Sequence, residues 1–252
     1  MKQDLELFPY KVTVHHKLSE NDKHQRVAFV KWLKDQTAAN PGFLDGVWFS
    51  DEAHFHLTGQ VNTQNCRIWA SAPPDTLLEV PLHSPRVTVW CAMSSTGIIG
   101  PFFFEDGNGC TQTVNKERYV RILERFWATV QEGSTSDGDE IWFQQDGATP
   151  HTSKMALQWL QERLGERIIS RGTDTPWPPH SPDLTPLDFY LWGFLKSRVY
   201  SGSPESLGEL KRAIRRQVRA ITPATCARVI GHVAKRADVC LLRKGGHLEN
   251  VL

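Results

Sequence analysis

Short apolar runs alternate with amphipathic stretches along the chain, and this alternation predicts a mixed α/β fold. The apolar run at 47–49 predicts a buried strand that ends near Asp51. Residues 86–93 and 98–104 predict two further strands, and Gly97 between them favours a hairpin. Apolar runs at 141–143 and 167–170 predict strands on either side of a helix at 153–163, which Gly165 ends.

Helical periodicity is clearest after Asn115, a typical N-cap residue. The apolar positions of that helix are Tyr119, Ile122, Leu123, Phe126, Trp127 and Val130. An earlier helix is predicted from about residue 21 to 34, after Ser19 and Asp22 at capping-box spacing. Another is predicted to start at Ser203-Pro204. These helices would flank a mixed sheet.

Composition is typical of one large globular domain. The chain has 252 residues, of which 40% are hydrophobic, and its net charge is +1. The charge is uneven, because residues 196–252 carry twelve Lys/Arg against four Asp/Glu. That basic end indicates either a polyanionic partner or a solvated helix surface. No apolar run of about 18 residues is present, so we expect a soluble chain.

Five widely spaced cysteines without a C-x-x-C pair predict buried thiols in a reduced, intracellular protein. A zinc site could use His54 and His56, but two further ligands are not evident. In a continuing strand, both histidines would lie on the face opposite Asp51.

Three aspartates lie next to predicted strands or at a predicted helix start, where a carboxylate could have a function. Asp51 ends a predicted buried strand, and a buried carboxylate is costly unless it is paired or bound to a cation. Asp146 follows the strand at 141–143, at the strand end where α/β sheets bind ligands, although an aspartate there could simply cap a turn. Asp188 follows Thr185, a predicted N-cap, and Pro186, the predicted first helical residue; it could instead be half of a capping box.

Convergence of these carboxylates would suit paired divalent cations. Oxygen ligands favour magnesium or manganese. Two such ions can activate a nucleophile and stabilise the leaving oxygen of a phosphodiester. Without cations, three close carboxylates would raise one another's pKa.

Three ordered motifs resemble the catalytic signatures of the Tc1/mariner transposase superfamily. They lie at 48–53 (WFSDEA), 144–151 (QQDGATPH) and 181–188 (SPDLTPLD). The resemblance implies a ribonuclease H-like fold with a mixed five-stranded sheet flanked by helices. It also implies a DDD triad of Asp51, Asp146 and Asp188 holding two Mg²⁺ or Mn²⁺ ions, with Asp183 structural. The implied activity is hydrolysis and strand transfer on double-stranded DNA, at transposon ends and target, by a nuclear protein and candidate homodimer.

The resemblance divides the chain into a linker-like arm at 1–40 and a catalytic domain at 41–252. Within that domain, residues 57–85 resemble a clamp-like insertion, and basic helices form the C-terminal part. The candidate DNA-binding residues there are Lys211, Arg212, Arg215, Arg216 and Arg219, which could instead form a solvated face.

The chain also departs from the family pattern. Asp188 lies 42 positions after Asp146, a wider separation than in the common subgroups, and residues 171–180 could hold the extra length. Gly147 stands where many relatives have Asn. The helix-turn-helix modules that recognise transposon ends are not seen in this sequence. Alternatives are therefore a truncated or domesticated DNA-binding protein without turnover, and a ribonuclease H or resolvase-like nuclease.

Overall fold

A computed structural model describes residues 17–58, 84–133 and 141–248 and contains one mixed sheet in that part of the chain. Its strands are β1 (Val47–His56), β2 (Arg86–Ser94), β3 (Gly97–Phe103), β4 (Trp142–Gln144) and β5 (Ile168–Ile169), in the order β3-β2-β1-β4-β5. The first three pair antiparallel, whereas β4 is parallel to both β1 and β5. The predicted mixed sheet and its hairpin are confirmed.

Six α-helices surround this sheet in the described residues. They are α1 (Glu20–Ala39), α2 (Lys116–Gly133), α3 (Lys154–Leu164), α4 (Trp192–Tyr200), α5 (Leu207–Arg219) and α6 (Pro223–Leu242). Side chains cap two of them where the sequence predicted: Ser19 and Asp22 form a complete capping box on α1. The Asn115 side chain accepts a hydrogen bond of 2.9 Å from the Arg118 amide at the start of α2.

The two faces of the sheet are covered by different helices. Buried side chains of α1, α4, α5 and α6 pack with Phe49 and Phe55 of β1 on one face. Helices α2 and α3 pack with Trp90 of β2 and Phe143 of β4 on the other. A sheet buried on both faces needs apolar runs, which explains why 47–49 and 141–143 lack strict alternation.

Helix α5 begins later than predicted. The chain has a positive φ of 43° at Ser203, and the helix starts at Leu207. The Ser206 side chain accepts a hydrogen bond of 3.2 Å from the Glu209 amide. A serine cap therefore starts the helix, and Pro204 stays outside it.

Two predicted segments lie at the margins of the described residues. Of the arm at 1–40, helix α1 contributes Phe29, Val30 and Leu33 to the main core, and residues 1–16 lie outside the described part. Of the insertion at 57–85, residues 59–83 also lie outside it, but its ends meet where the Leu57 amide donates to the Pro85 carbonyl at 2.7 Å. None of the described helices is long and apolar enough to cross a membrane.

Candidate active site

Strand pairing sets Asp51 and Asp146 at the same level of the sheet. Phe49 of β1 pairs with Gln144 of β4 in parallel register. Asp51 and Asp146 each lie two residues farther along the chain. Because side chains alternate between faces, both carboxylates point to the α1–α4 side.

Asp188 reaches the same place from the other end of the domain. It lies in a π-helical turn, Leu187–Leu191, that leads directly into α4. The three aspartates line one cavity of about 650 Å³, together with Ser50 and Gln144. Residues distant in sequence thus share one concave surface, the usual form of a ligand site.

The helix start before Asp188 differs from the predicted one. Pro186, not Thr185, occupies the N-cap position, and the first turn is a π-helix. Thr185 remains a local partner, since its side-chain oxygen accepts from the Leu187 amide at 3.4 Å. Such π turns are common at functional sites.

Asp51 is buried beside other acids. Burial, followed by the charges of Asp188 and Glu52, raises the pKa of Asp51 well above its usual value. The indole Nε1 of Trp192 opposes this shift by donating a hydrogen bond of 2.7 Å to the Asp51 carboxylate. Trp192 therefore fixes one oxygen of Asp51 and stabilises its ionised form.

Asp146 is held at the head of a turn and by a histidine. Its Oδ1 accepts from the Ala148 amide at 2.9 Å, so the turn-capping interpretation is also realised. The same oxygen lies 2.6 Å from Nδ1 of His151. Burial acts to raise the pKa of Asp146, but the hydrogen bond and charge of His151 and the Ala148 amide outweigh it and lower the pKa.

His151 bridges Asp146 to a fourth carboxylate. Its Nε2 lies 3.0 Å from Oε1 of Glu52, and its ring stacks on Tyr119 with centroids 4.1 Å apart. Ionised carboxylates only accept hydrogen bonds, so an imidazole between two of them serves both only when both ring nitrogens carry a proton. Burial acts to lower the pKa of His151, but the charge of Glu52 and hydrogen bonds to Asp146 and Glu52 raise it to about 10.

At Asp188, the effects that raise the pKa outweigh the one that lowers it. Burial, followed by the charge of Asp146, raises the pKa of Asp188 to about 6, while Lys196 opposes the shift. Within the described ranges, no three His, Cys, Asp or Glu side chains are assembled closely enough to hold a metal ion. The acidic end of the cavity nevertheless fits a divalent cation chemically, because its carboxylates are hard oxygen donors whose mutual repulsion a cation would relieve.

Asp183 has a structural environment, as predicted. It forms a buried ion pair with Arg26 of α1, with an Nη2–Oδ2 distance of 2.6 Å and neither side chain exposed. Arg26 also donates to the Ser181 hydroxyl and the Gly245 carbonyl. This cluster ties α1 and the end of α6 to the loop that precedes Asp188.

Sequence reasoning assigned no role to Glu52, Trp192 or His151. Glu52 adjoins Asp51 in β1, and His151 follows Asp146 by five residues, so both stood inside quoted motifs. The His151–Glu52 contact joins residues 99 positions apart, and no local spacing could have indicated it.

The zinc interpretation of His54 and His56 gains no support among the described residues. Nδ1 of His54 lies 3.0 Å from the Thr88 hydroxyl on the neighbouring strand, and no three-ligand group includes either histidine. Both belong to β1, which continues to His56. Their side chains lie on the face of the strand opposite Asp51, as predicted. Cys91, Cys226 and Cys240 are buried free thiols, as predicted; Cys110 is exposed, contrary to the prediction, and Cys66 lies outside the described residues.

Comparison with known proteins finds relatives of the same fold. No protein-family model matches the chain. A curated human protein, the histone-lysine N-methyltransferase SETMAR, is 24% identical over 247 residues, which is 94% of this chain and 33% of that protein. The chain therefore spans about a third of the length of this relative.

Solved structures match more completely. The crystal structure of the catalytic domain of Mos1 mariner transposase has a TM-score of 0.74 at 19% identity, covering 94% of this chain and all of that one. This chain has the fold of a mariner transposase catalytic domain. The Mos1 transposase paired-end complex with the left transposon end has a TM-score of 0.80 at 18% identity, covering 98% of this chain and 69% of that one. The Tc1/mariner resemblance and the ribonuclease H-like fold are thereby confirmed.

Proposed function

We propose that this chain is the catalytic domain of a DNA transposase that hydrolyses phosphodiesters and joins DNA strands. The observation that carries the proposal is the convergence of Asp51, Asp146 and Asp188 on one cavity. Relatives of the same fold support it, since Mos1 is named as a transposase and has been solved with transposon ends. The alternatives without turnover have no comparable support.

Asp51, Asp146 and Asp188 would hold two magnesium or manganese ions. Mos1 catalytic-domain structures titled with Mg and with Mn support the choice of metal. When bound, such ions supply an activated water or hydroxyl and stabilise the leaving oxygen. The chain's own contribution is to orient the carboxylates: Trp192 fixes Asp51, and His151 fixes Asp146.

Double-stranded DNA is the proposed partner, and α5 offers part of its surface. Arg212, Arg216 and Arg219 are exposed. Lys211, by contrast, pairs with Glu105, and the Arg215 guanidinium lies 4.7 Å from the centre of the Phe103 ring. We therefore assign phosphate contact to the three exposed arginines. The homodimer and the nuclear location stay predictions.

The deciding experiment is a plasmid-nicking assay with purified chain and either metal. We expect nicking that requires Mg²⁺ or Mn²⁺ and is lost in Asp51→Asn, Asp146→Asn and Asp188→Asn, with the fold retained by circular dichroism. Asp174→Asn is the matched control, because Asp174 is exposed and does not line the cavity. Unchanged nicking in Asp146→Asn would refute the triad.

Parallel binding measurements separate the alternatives. DNA binding without metal-dependent nicking would favour a DNA-binding protein that lacks turnover. Preferential cleavage of an RNA–DNA hybrid would favour a ribonuclease H-like nuclease, and preference for branched DNA a resolvase.

A further inference from the structure

Arg171 is one of the residues that line the cavity that holds the three aspartates. It follows β5 closely and begins the segment 171–180, which lies between Asp146 and Asp188 in the sequence. Arg171 lines the cavity together with Asp146 and Gly147. This segment therefore brings an arginine to the cavity of the proposed triad.

Gly147 provides the space that this side chain occupies. A Cβ atom at position 147 would lie 3.3 Å from Cδ and 3.6 Å from Cβ of Arg171. The first separation is tighter than most Cβ contacts and the second is ordinary van der Waals contact, and the amide of an Asn would require still more room. Gly147 and Arg171 are thus complementary.

The Arg171 guanidinium has no protein partner in the described part of the chain, where no hydrogen bond, ion pair or aromatic ring engages it. Two other arginines differ in this respect: Arg26 pairs with Asp183, and Arg163 stacks on Trp159 at 3.9 Å. An exposed cation at the edge of an acidic cavity is available to an anionic ligand.

A cation is useful at this position because the cavity repels DNA. Asp51, Asp146 and Asp188 bring three carboxylates to its lining. Phosphodiester groups approaching the same cavity meet that negative field. An arginine can bind phosphate through two parallel hydrogen bonds and so both attract and orient the strand.

We propose that Arg171 binds a backbone phosphate of the DNA strand seated beside Asp146, in space that Gly147 leaves open. This inference rests on the proposed function, since it assigns a substrate-binding residue to the same site. It makes the loop at 171–180 a substrate-positioning element.

Single-turnover cleavage of a short DNA duplex by the full chain tests the proposal. We expect Arg171→Gln to raise the DNA concentration at half-maximal rate by about tenfold. A plot of the logarithm of that DNA concentration against the logarithm of the salt concentration should lose about one unit of slope, as expected for one lost phosphate contact. Arg163→Gln, which removes the same charge away from the cavity, should change neither quantity.

Gly147→Asn supplies an independent arm. It should raise the half-maximal DNA concentration in the wild-type background, because the new side chain displaces Arg171. It should add nothing in an Arg171→Ala background, where no long side chain remains to be displaced. Additive effects would overturn the pairing of Gly147 with Arg171.

Failure here is distinguishable from failure of the proposed function. If the wild-type chain cleaves DNA with metal but Arg171→Gln keeps its DNA dependence and salt slope, the phosphate contact is wrong and the transposase proposal stands. If the wild-type chain cleaves no DNA under any metal condition, both fail.

Discussion

Arg26 of α1 and Asp183 of the loop before Asp188 form an ion pair in which neither side chain is exposed to solvent. Both pairs of opposed nitrogen and oxygen atoms are within 2.7 Å, so the contact is bidentate. Residues 157 positions apart are joined in this way, and the Leu248 amide adds a third donor to Asp183 at 3.2 Å. The loop before Asp188 is thereby attached to the first and last described parts of the chain.

Removing one member of this pair should be strongly destabilising. Arg26→Met leaves a buried carboxylate without its counter-charge, and we expect the free energy of unfolding to fall by about 3–5 kcal/mol. Urea denaturation followed by circular dichroism measures the change. The double variant Arg26→Met with Asp183→Leu should be more stable than Arg26→Met alone, because no unpaired charge remains. A double variant that shows the sum of both losses would contradict this explanation.

His151 should be a positioning residue for Asp146. His151→Phe keeps a ring against Tyr119 but removes both donors, so Asp146 and Glu52 lose a shared partner. We expect metal-dependent nicking to fall by about 10–100-fold, as when partners of metal ligands are removed. A higher metal concentration should restore part of the rate. His54→Asn is the control, because His54 contacts only Thr88 among the hydrogen bonds described; equal losses in both variants would exclude a specific role.

Stability should depend on pH through the same histidine. The folded state holds the His151 proton up to a pKa of about 10, whereas the unfolded chain releases it near 6.5. The stabilisation is fully present below pH 6.5 and is lost as pH rises towards 10, by up to about 1.4 kcal/mol per pH unit. Urea denaturation from pH 6.5 to 9.5 measures the slope. His151→Phe should lack this part of the slope, and an unchanged slope would place the titration elsewhere.

Trp192 should control the protonation of Asp51. Trp192→Phe keeps the aromatic contact with the core but removes the donor 2.7 Å from the carboxylate, so the pKa of Asp51 rises further. Protons then compete better with the metal, and the metal concentration for half-maximal nicking should increase by about tenfold. The deficit should shrink as pH is raised. Trp159→Phe, at a half-buried tryptophan of α3 that does not line the cavity, should behave as wild type, and a deficit independent of pH would point to a packing defect instead.

Metal affinity should increase as pH rises through about 6. The Asp188 carboxyl, with its pKa raised to about 6, must lose a proton before it can bind a cation. Calorimetric titration with Mn²⁺ between pH 5 and 7.5 measures this dependence. In Asp188→Asn the affinity should be lower overall and its dependence on pH near 6 should flatten. Equal affinity at both ends of the range in the wild-type chain would contradict the shift.

Local patterns predicted much of the fold and the members of the proposed triad. The stripe from Tyr119 to Phe126 is buried in α2, and the strand runs and the caps at Ser19 and Asn115 lie where expected. These features depend on residues a few positions apart. The contacts of His151 with Glu52 and of Arg26 with Asp183 depend on how distant segments pack, so a single sequence carries no periodic signal for them. The predicted start of α5 was wrong, because Ser206 caps the helix and Ser203-Pro204 lies before it.

Parallel pairing of β1 with β4 determines where this protein can tolerate insertions and deletions. One residue gained or lost between Val47 and Asp51 would rotate the carboxylate to the α2–α3 side of the sheet and out of the cavity. Residues gained beside the exposed Asp174 would lengthen the loop after β5 while Asp146 and Asp188 kept their own supports. The number of residues between Asp146 and Asp188 can therefore vary, whereas the register of β1 and β4 cannot.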